Sequence, residues 1–92
     1  MIKSFKDKEA QRIFDGIKSI KFATLQTIAK RKLDMLHFAQ SEKDLISPPS
    51  NRFEHLKGTL KGYCSIRIND QFRIVFKFQN GNAEEVQIVD YH

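Results

Sequence analysis

The chain has 92 residues, enough for one domain with a modest hydrophobic core. It is 40% hydrophobic and 29% charged, and sixteen Lys and Arg against eleven Asp and Glu leave a net charge of +5. Four glycines and no internal repeat exclude an array, no apolar run is long enough to span a bilayer, and the positive surplus suits a polyanionic partner.

Met1 to Lys6 reads as a short opening strand that brings Ile2 and Phe5 to the core. Asp7 has the chemistry of a helix N-cap, and Ala10, Ile13, Phe14 and Ile17 follow at helical spacing, with Gly16 weakening the end. Lys18 to Thr24 reads as loop. A longer helix is predicted from about Leu25 to Ala39, with Leu25, Ile28, Ala29, Leu33 and Leu36 as its apolar stripe and Met35 and Phe38 widening it. Lys30, Arg31 and Lys32 are consecutive, so they spread round that helix and do not form one patch, and they read as solvated. Ser41 to Leu45 allows one more helical turn. Pro48 and Pro49 then stop any helix and separate a helical first half from a strand-rich second half.

In the second half the period changes to two. Cys64, Ile66 and Ile68 share one parity, and Tyr63, Ser65 and Arg67 the other. Beyond a turn, Phe72, Ile74, Phe76 and Phe78 match the first set, and Arg73, Val75 and Lys77 the second. Pairing Ile68 with Phe72 puts both apolar sets on one side and leaves Asn69, Asp70 and Gln71 as a three-residue loop. In that register Arg67 sits opposite Arg73, an unfavourable like-charge pair that an anion between them would explain. The final hairpin turns at Asn80-Gly81. A two-residue loop pairs Phe78 with Ala83 but sets Val86 on the wrong face, so the register requires a longer loop or a bulge near Glu84-Glu85.

The expected fold is one α+β domain over residues 1–92, with two N-terminal helices packed on one face of a small, mainly antiparallel sheet. Its other face is expected to be open and to carry Arg67, Arg73, Lys77 and Tyr91. The single Cys64, at an inward strand position, cannot form an internal disulfide and reads as a small hydrophobe. With no secretory apolar segment at the start, the expected compartment is the cytoplasm and no membrane partner is expected.

The sequence has no glycine-rich phosphate loop and no Cys or His pairs at metal-ligand spacing. His37 reads as a boundary residue of the second helix, and His55 lies near the mouth of the sheet. Asp90, Tyr91 and His92 follow the last strand and offer carboxylate, phenol and imidazole beside the basic face. On an ideal strand Tyr91 shares the parity of Val89, whereas His92 reaches that face only if the chain bends. Such a set suits RNA cleavage in which the ribose 2′-hydroxyl attacks the neighbouring phosphate. Arginine forks would hold the developing phosphorane, and a titratable group would move the protons.

Several segments then add a resemblance. The run Pro48-Pro49-Ser50-Asn51-Arg52-Phe53-Glu54, then Leu56-Lys57-Gly58, then Ser65 to Ile74, and the closing Ile88-Val89-Asp90-Tyr91-His92 strongly resemble the HigB toxins, a branch of the RelE/ParE superfamily. The resemblance spans essentially the whole chain. It implies an endoribonuclease that cuts mRNA in the ribosomal A site, against 16S rRNA, and so arrests translation. It also implies a HigA-type helix-turn-helix antitoxin as partner, operator DNA reached through that antitoxin, and no metal or organic cofactor.

By position, the resemblance associates Lys57, Arg67 and Arg73 with the substrate phosphate, and Tyr91 and His92, with Asp90 alongside, with nucleotide orientation and proton movement. Lys77 and His55 join the substrate-binding candidates. Some members have a histidine where this chain has Glu54, one place before His55. Phe72 and Cys64 stand where tryptophan is frequent, and both changes fall on the core parity. The alternative, on a similar fold, is a non-catalytic toxin of the ParE type that binds gyrase.

Overall fold

The structure is a computed structural model that describes residues 1–90. Three helices, α1 (Lys8–Phe14), α2 (Gln26–Phe38) and α3 (Glu42–Ile46), precede four strands, β1 (Glu54–His55), β2 (Cys64–Arg67), β3 (Phe72–Gln79) and β4 (Asn82–Asp90). The strands form one antiparallel sheet in the order β1-β2-β3-β4. This is the expected α+β architecture.

Asp7 caps α1 as its side chain predicts, its Oδ1 accepting from the Glu9 amide at 2.9 Å. The helix ends at Phe14 rather than reaching Ile17. Gly16 takes φ +79, a left-handed conformation that stops the helix, and Ile17 is left 46% exposed. The following loop is more ordered than its composition suggests. Ser19 is fully buried and donates to Glu9, its backbone amide donates to Gln26 Oε1, and Phe22 enters the core.

Ala29, Leu33 and Leu36 of α2 pack against Ile66, Ile74, Phe76, Val86 and Ile88 from the sheet, and all but Ile88 are fully buried. Truncating Leu33 or Phe76 to Ala would cost about 3–5 kcal/mol, from lost transfer energy and the cavity left behind. Phe38 departs from the expected stripe and is 76% exposed at the helix end. Lys32 departs the other way. It is buried, and its Nζ donates to Asn51 Oδ1 at 2.6 Å, so Lys32 is not one of the solvated residues expected on α2. Asn51 in turn donates to the Leu45 carbonyl, which ties the turn after α3 to α2.

The strand register follows the parity argument. Arg67 pairs with Arg73, the Ile68 amide donates to the Phe72 carbonyl at 2.9 Å, and the loop between them is Asn69 to Gln71. Asn69 Oδ1 accepts from the amides of Gln71 and Phe72, so the loop closes on its own side chain. The last hairpin resolves through its bulge. Phe78 pairs with Ala83 and Val75 with Gln87, the extra residue falling around Glu85, whose φ is +54. Val86 and Ile88 thereby return to the core. The first residues run parallel to β4 with bridges at Ile2–Ala83 and Phe5–Val86, which covers the sheet edge that β4 would otherwise expose.

Candidate functional site

The sheet face away from the helices was expected to be open, and it is covered at its centre. Ser65 and Val75, paired across β2 and β3, are fully buried, and Arg73 is only 6% exposed. The reason lies in side-chain length, because an arginine can lay its stem along a sheet and bury apolar atoms beneath it. Parity fixes the face that Arg73 occupies but not how far its side chain reaches across that face.

Among the described residues, three groups hold the Arg73 guanidinium. Its Nε donates to Ser65 Oγ at 2.9 Å, one Nη donates to the Arg52 carbonyl, and the same Nη lies 3.1 Å from Glu54 Oε1. Arg52 delivers its carbonyl from a left-handed conformation, φ +44, at the end of a short 3-10 turn, Pro49–Asn51. Glu54 reaches the same face because it pairs with Ser65. Two neutral groups thus fix the orientation of the fork, and a half-exposed carboxylate occupies its outer edge. Opposite, Arg67 makes an ion pair with Asp70, whose side chain is 99% exposed. In place of a single anion between the two arginines, each meets a carboxylate of the protein itself, Asp70 for Arg67 and Glu54 for Arg73.

Asp90 lies at this end of the sheet, on the parity of Phe72 rather than that of Arg73. It pairs with Phe72, next to Arg73, and its Oδ2 accepts from Gln71 Nε2 at 3.1 Å. Val89 pairs directly with Arg73. The candidates Tyr91 and His92 lie outside the described residues.

The remaining candidates lie elsewhere. Lys77 is four residues along β3 from Arg73, about 13 Å at strand rise, and is engaged by a second cluster. Its Nζ lies 2.9 Å from Glu85 Oε2 and over the Tyr63 ring, while Tyr63 OH donates to Glu85 Oε1 at 2.9 Å. These contacts raise the Lys77 and Tyr63 pKa values and lower that of Glu85, in each case chiefly through the side-chain hydrogen bond to the cluster partner. Lys57 is exposed on the loop from β1 to β2, at the Lys77 end of the sheet. His55 is not brought to the arginines. It pairs with Cys64, on the opposite parity from Glu54, and its Nε2 lies 2.9 Å from Glu42.

One further basic group bears on the site. Burial lowers the pKa of Lys32, and the nearby Arg31 and Arg67 lower it further, which places a buried ammonium in the field of the site arginine. Cys64 behaves as the buried residue expected from its parity, its thiol pushed up to about 11 by burial and by Glu42. Ser65, Glu54, Asp70 and the Arg52 carbonyl are the contacts that sequence reasoning missed. The signal for Glu54 was available, since it falls two residues after Arg52 and on the face of Ser65. No sequence signal marks a backbone carbonyl.

The chain as a whole has known relatives. The family model for the HigB-like toxin, a RelE-like toxin of the type II toxin-antitoxin system HigB, matches residues 3–92. The chain belongs to the HigB-like toxin family. It is 44% identical to Toxin HigB-1 of Vibrio cholerae over 85 residues, 90% of each chain. It is 31% identical to Endoribonuclease HigB of Proteus vulgaris over the full length of both. Among solved structures, YafQ of E. coli superposes with a TM-score of 0.66 at 11% identity, covering 98% of this chain and 91% of YafQ. The YoeB–YefM toxin–antitoxin complex of Staphylococcus aureus contains a chain that matches with a TM-score of 0.63 at 19% identity, over 100% of this chain and 95% of that one. At those identities the two structures speak for the fold. Within the HigB-like family, then, this chain carries its paired arginines on a RelE-like sheet.

Proposed function

We propose that this HigB-like toxin is an endoribonuclease that cuts mRNA in the ribosomal A site, by attack of the 2′-hydroxyl on the adjacent phosphate and without a metal. The observation that carries the reading is the pairing of Arg67 with Arg73 on one face, each guanidinium closed by an exposed or half-exposed carboxylate. A phosphate that displaces Asp70 and Glu54 meets two cations, one of them already oriented by Ser65 and the Arg52 carbonyl. Preoriented charge of this kind stabilises a developing phosphorane without reorganisation at the moment of reaction.

Lys77 and Lys57 lie too far along the sheet to reach the same phosphate, so they guide the flanking strand. Asp90, Tyr91 and His92 supply orientation and proton transfer. The name of the Proteus vulgaris relative supports the ribonuclease reading, and the family supports a HigA-type antitoxin as partner. Through that antitoxin the toxin would act on its operator. The described residues contain no helix long and apolar enough to cross a membrane.

Primer extension on cellular mRNA after induction, comparing messages with and without a ribosome-binding site, tests the proposal. Cuts confined to the translated message are expected. Efficient metal-dependent degradation of naked RNA would overturn it, and inhibited gyrase supercoiling without any RNA cuts would favour the ParE-type alternative.

A further inference from the structure

On the helix-covered side of the sheet edge, three elements bring together side chains that the proposed RNA chemistry does not use. His55 of β1 pairs directly with Cys64 of β2, and Cys64 Sγ lies 3.5 Å from His55 Nδ1. Glu42, in the first turn of α3, places Oε1 at 2.9 Å from His55 Nε2. One donor atom from each residue lies within 4.8 Å of the other two.

The order of contacts determines the histidine tautomer. The Glu42 carboxylate only accepts, so the neutral ring carries its proton on Nε2 and turns the Nδ1 lone pair toward sulfur. Metal-bound histidines show this same pattern, the free ring N–H donated to a carboxylate. A tetrahedral zinc ion, with Zn–S of about 2.3 Å and Zn–N of about 2.0–2.1 Å, holds its sulfur and nitrogen roughly 3.5 Å apart. The observed separation of Sγ and Nδ1 accommodates such an ion with little movement. Charge is matched as well, because a thiolate and a carboxylate together balance a divalent cation. Access is from the His55 side. The side chains of His55 and Glu42 are 64% and 44% exposed, whereas Cys64 is only 4% exposed behind them.

We infer that Cys64 Sγ and His55 Nδ1 bind a thiophilic divalent cation of the zinc class, with Glu42 orienting the imidazole through Nε2. Solvent or an outside ligand completes the coordination. On binding, the cation takes the place of the thiol proton, which passes to solvent. The bound ion links β1 and β2, and through Glu42 it fastens α3 to the edge of the sheet. It lies on the opposite parity from Arg73, so the site is separate from the arginine pair and does not depend on the ribonuclease reading.

The test is a cobalt(II) and zinc(II) titration of the untagged, reduced full chain after chelator treatment. A sulfur-to-cobalt charge-transfer band in the near ultraviolet is expected, saturating at one equivalent and displaced by zinc. Cys64→Ala should abolish the band. His55→Ala removes an exposed side chain from the core's margin, so the metal-free melting temperature should hold while zinc affinity falls at least tenfold. Glu42→Gln should weaken zinc by about 10- to 100-fold, the usual effect of losing a carboxylate that orients a ligand. His37→Ala should bind as the unaltered chain does. Absence of the charge-transfer band, or equal zinc affinity in the unaltered chain and His55→Ala, would overturn the site and leave Cys64 and His55 as a hydrogen-bonded pair only.

Discussion

Arg67 and Arg73 face each other across β2 and β3, and each guanidinium is held by a carboxylate of its own, Asp70 for one and Glu54 for the other. The two arginines differ in how firmly they are placed. Arg67 has a local partner three residues away on an exposed loop. Arg73 reaches across β2 to Ser65 and on to the Arg52 carbonyl, and it is nearly buried. Of the pair, Arg73 is the oriented one.

That difference sets the outcome of substituting Arg73. Arg73→Ala should lower cleavage at least about a hundredfold, the scale for removing one transition-state donor. It should also lower stability by about 1–3 kcal/mol, because buried hydrogen-bonding partners lose their donor. A side chain expected to point into open solvent would have had no such stability cost. Arg73→Lys separates the two effects, since it keeps the charge and loses the fork. Single-turnover cleavage on programmed ribosomes, scaled to the folded fraction, is the measurement. Undiminished growth arrest in a well-expressed Arg73→Ala strain would remove Arg73 from the mechanism.

The sheet was legible in the sequence because its pattern admits few registers. Ile68 and Phe72 can share a face only with a three-residue loop between them, and Val86 can rejoin that face only through a bulge, which the structure places around Glu85. Pairing fixes faces and leaves side-chain reach undetermined, so the burial of Arg73 was not legible. Nor was the burial of Lys32, because its partner Asn51 is 19 residues distant and is brought near only by the turn after α3. The position of His55 depends in the same way on Glu42, from an element that the sequence reduced to a single turn. The arginine pair was legible as a pair. What holds each member was not.

Lys32 therefore yields a stability prediction that the sequence alone would not. Its Nζ donates to the fully buried Asn51 Oδ1, and Asn51 anchors the Leu45 carbonyl. Lys32→Ala leaves a buried acceptor without its donor and should cost about 1–3 kcal/mol in urea unfolding. Arg31→Ala, one residue earlier and exposed, should stay within about 0.5 kcal/mol of the unaltered chain. Equal stability of the two variants would show that the buried lysine contributes nothing to holding the turn.

Cys64 gives a pH dependence with a definite sign. Its thiol is raised from 9.0 to about 11 by burial and by Glu42, so the folded chain holds this proton more tightly than the unfolded chain does. Below pH 9 both states are protonated and the contribution is fully present. Between pH 9 and about 11 the unfolded thiol ionises first, and stability falls by on the order of 2 kcal/mol. Urea unfolding of the unaltered chain and Cys64→Ala, in chelator, should therefore show free-energy curves that converge across this window. Parallel curves would mean that the thiol titrates alike in both states. The same burial should make Cys64 slow to alkylate at neutral pH.

The last prediction concerns His92, which lies beyond the described residues. The register of β4 sets Val89 opposite Arg73 and Asp90 opposite Phe72, so the described chain arrives at the arginine end of the face rather than the Lys77 end. The proposed mechanism assigns His92 the proton for the leaving 5′-oxygen, which requires the chain to bend beyond Asp90. Among the described residues of β4, the buried core cluster extends to Ile88. Deleting His92, or replacing it in His92→Gln, should thus reduce single-turnover cleavage by about 10²- to 10⁴-fold, the usual range for a general acid or base. The thermal midpoint should be unchanged in both variants. Asp90→Asn is the companion measurement, because it alters a residue that contacts Gln71 without removing the imidazole. If both His92 variants retain near-normal rates, His92 has no part in proton transfer, and that role must pass to Asp90 or Tyr91. If both lose activity at an unchanged midpoint while Asp90→Asn loses less, the imidazole is the group that moves the proton.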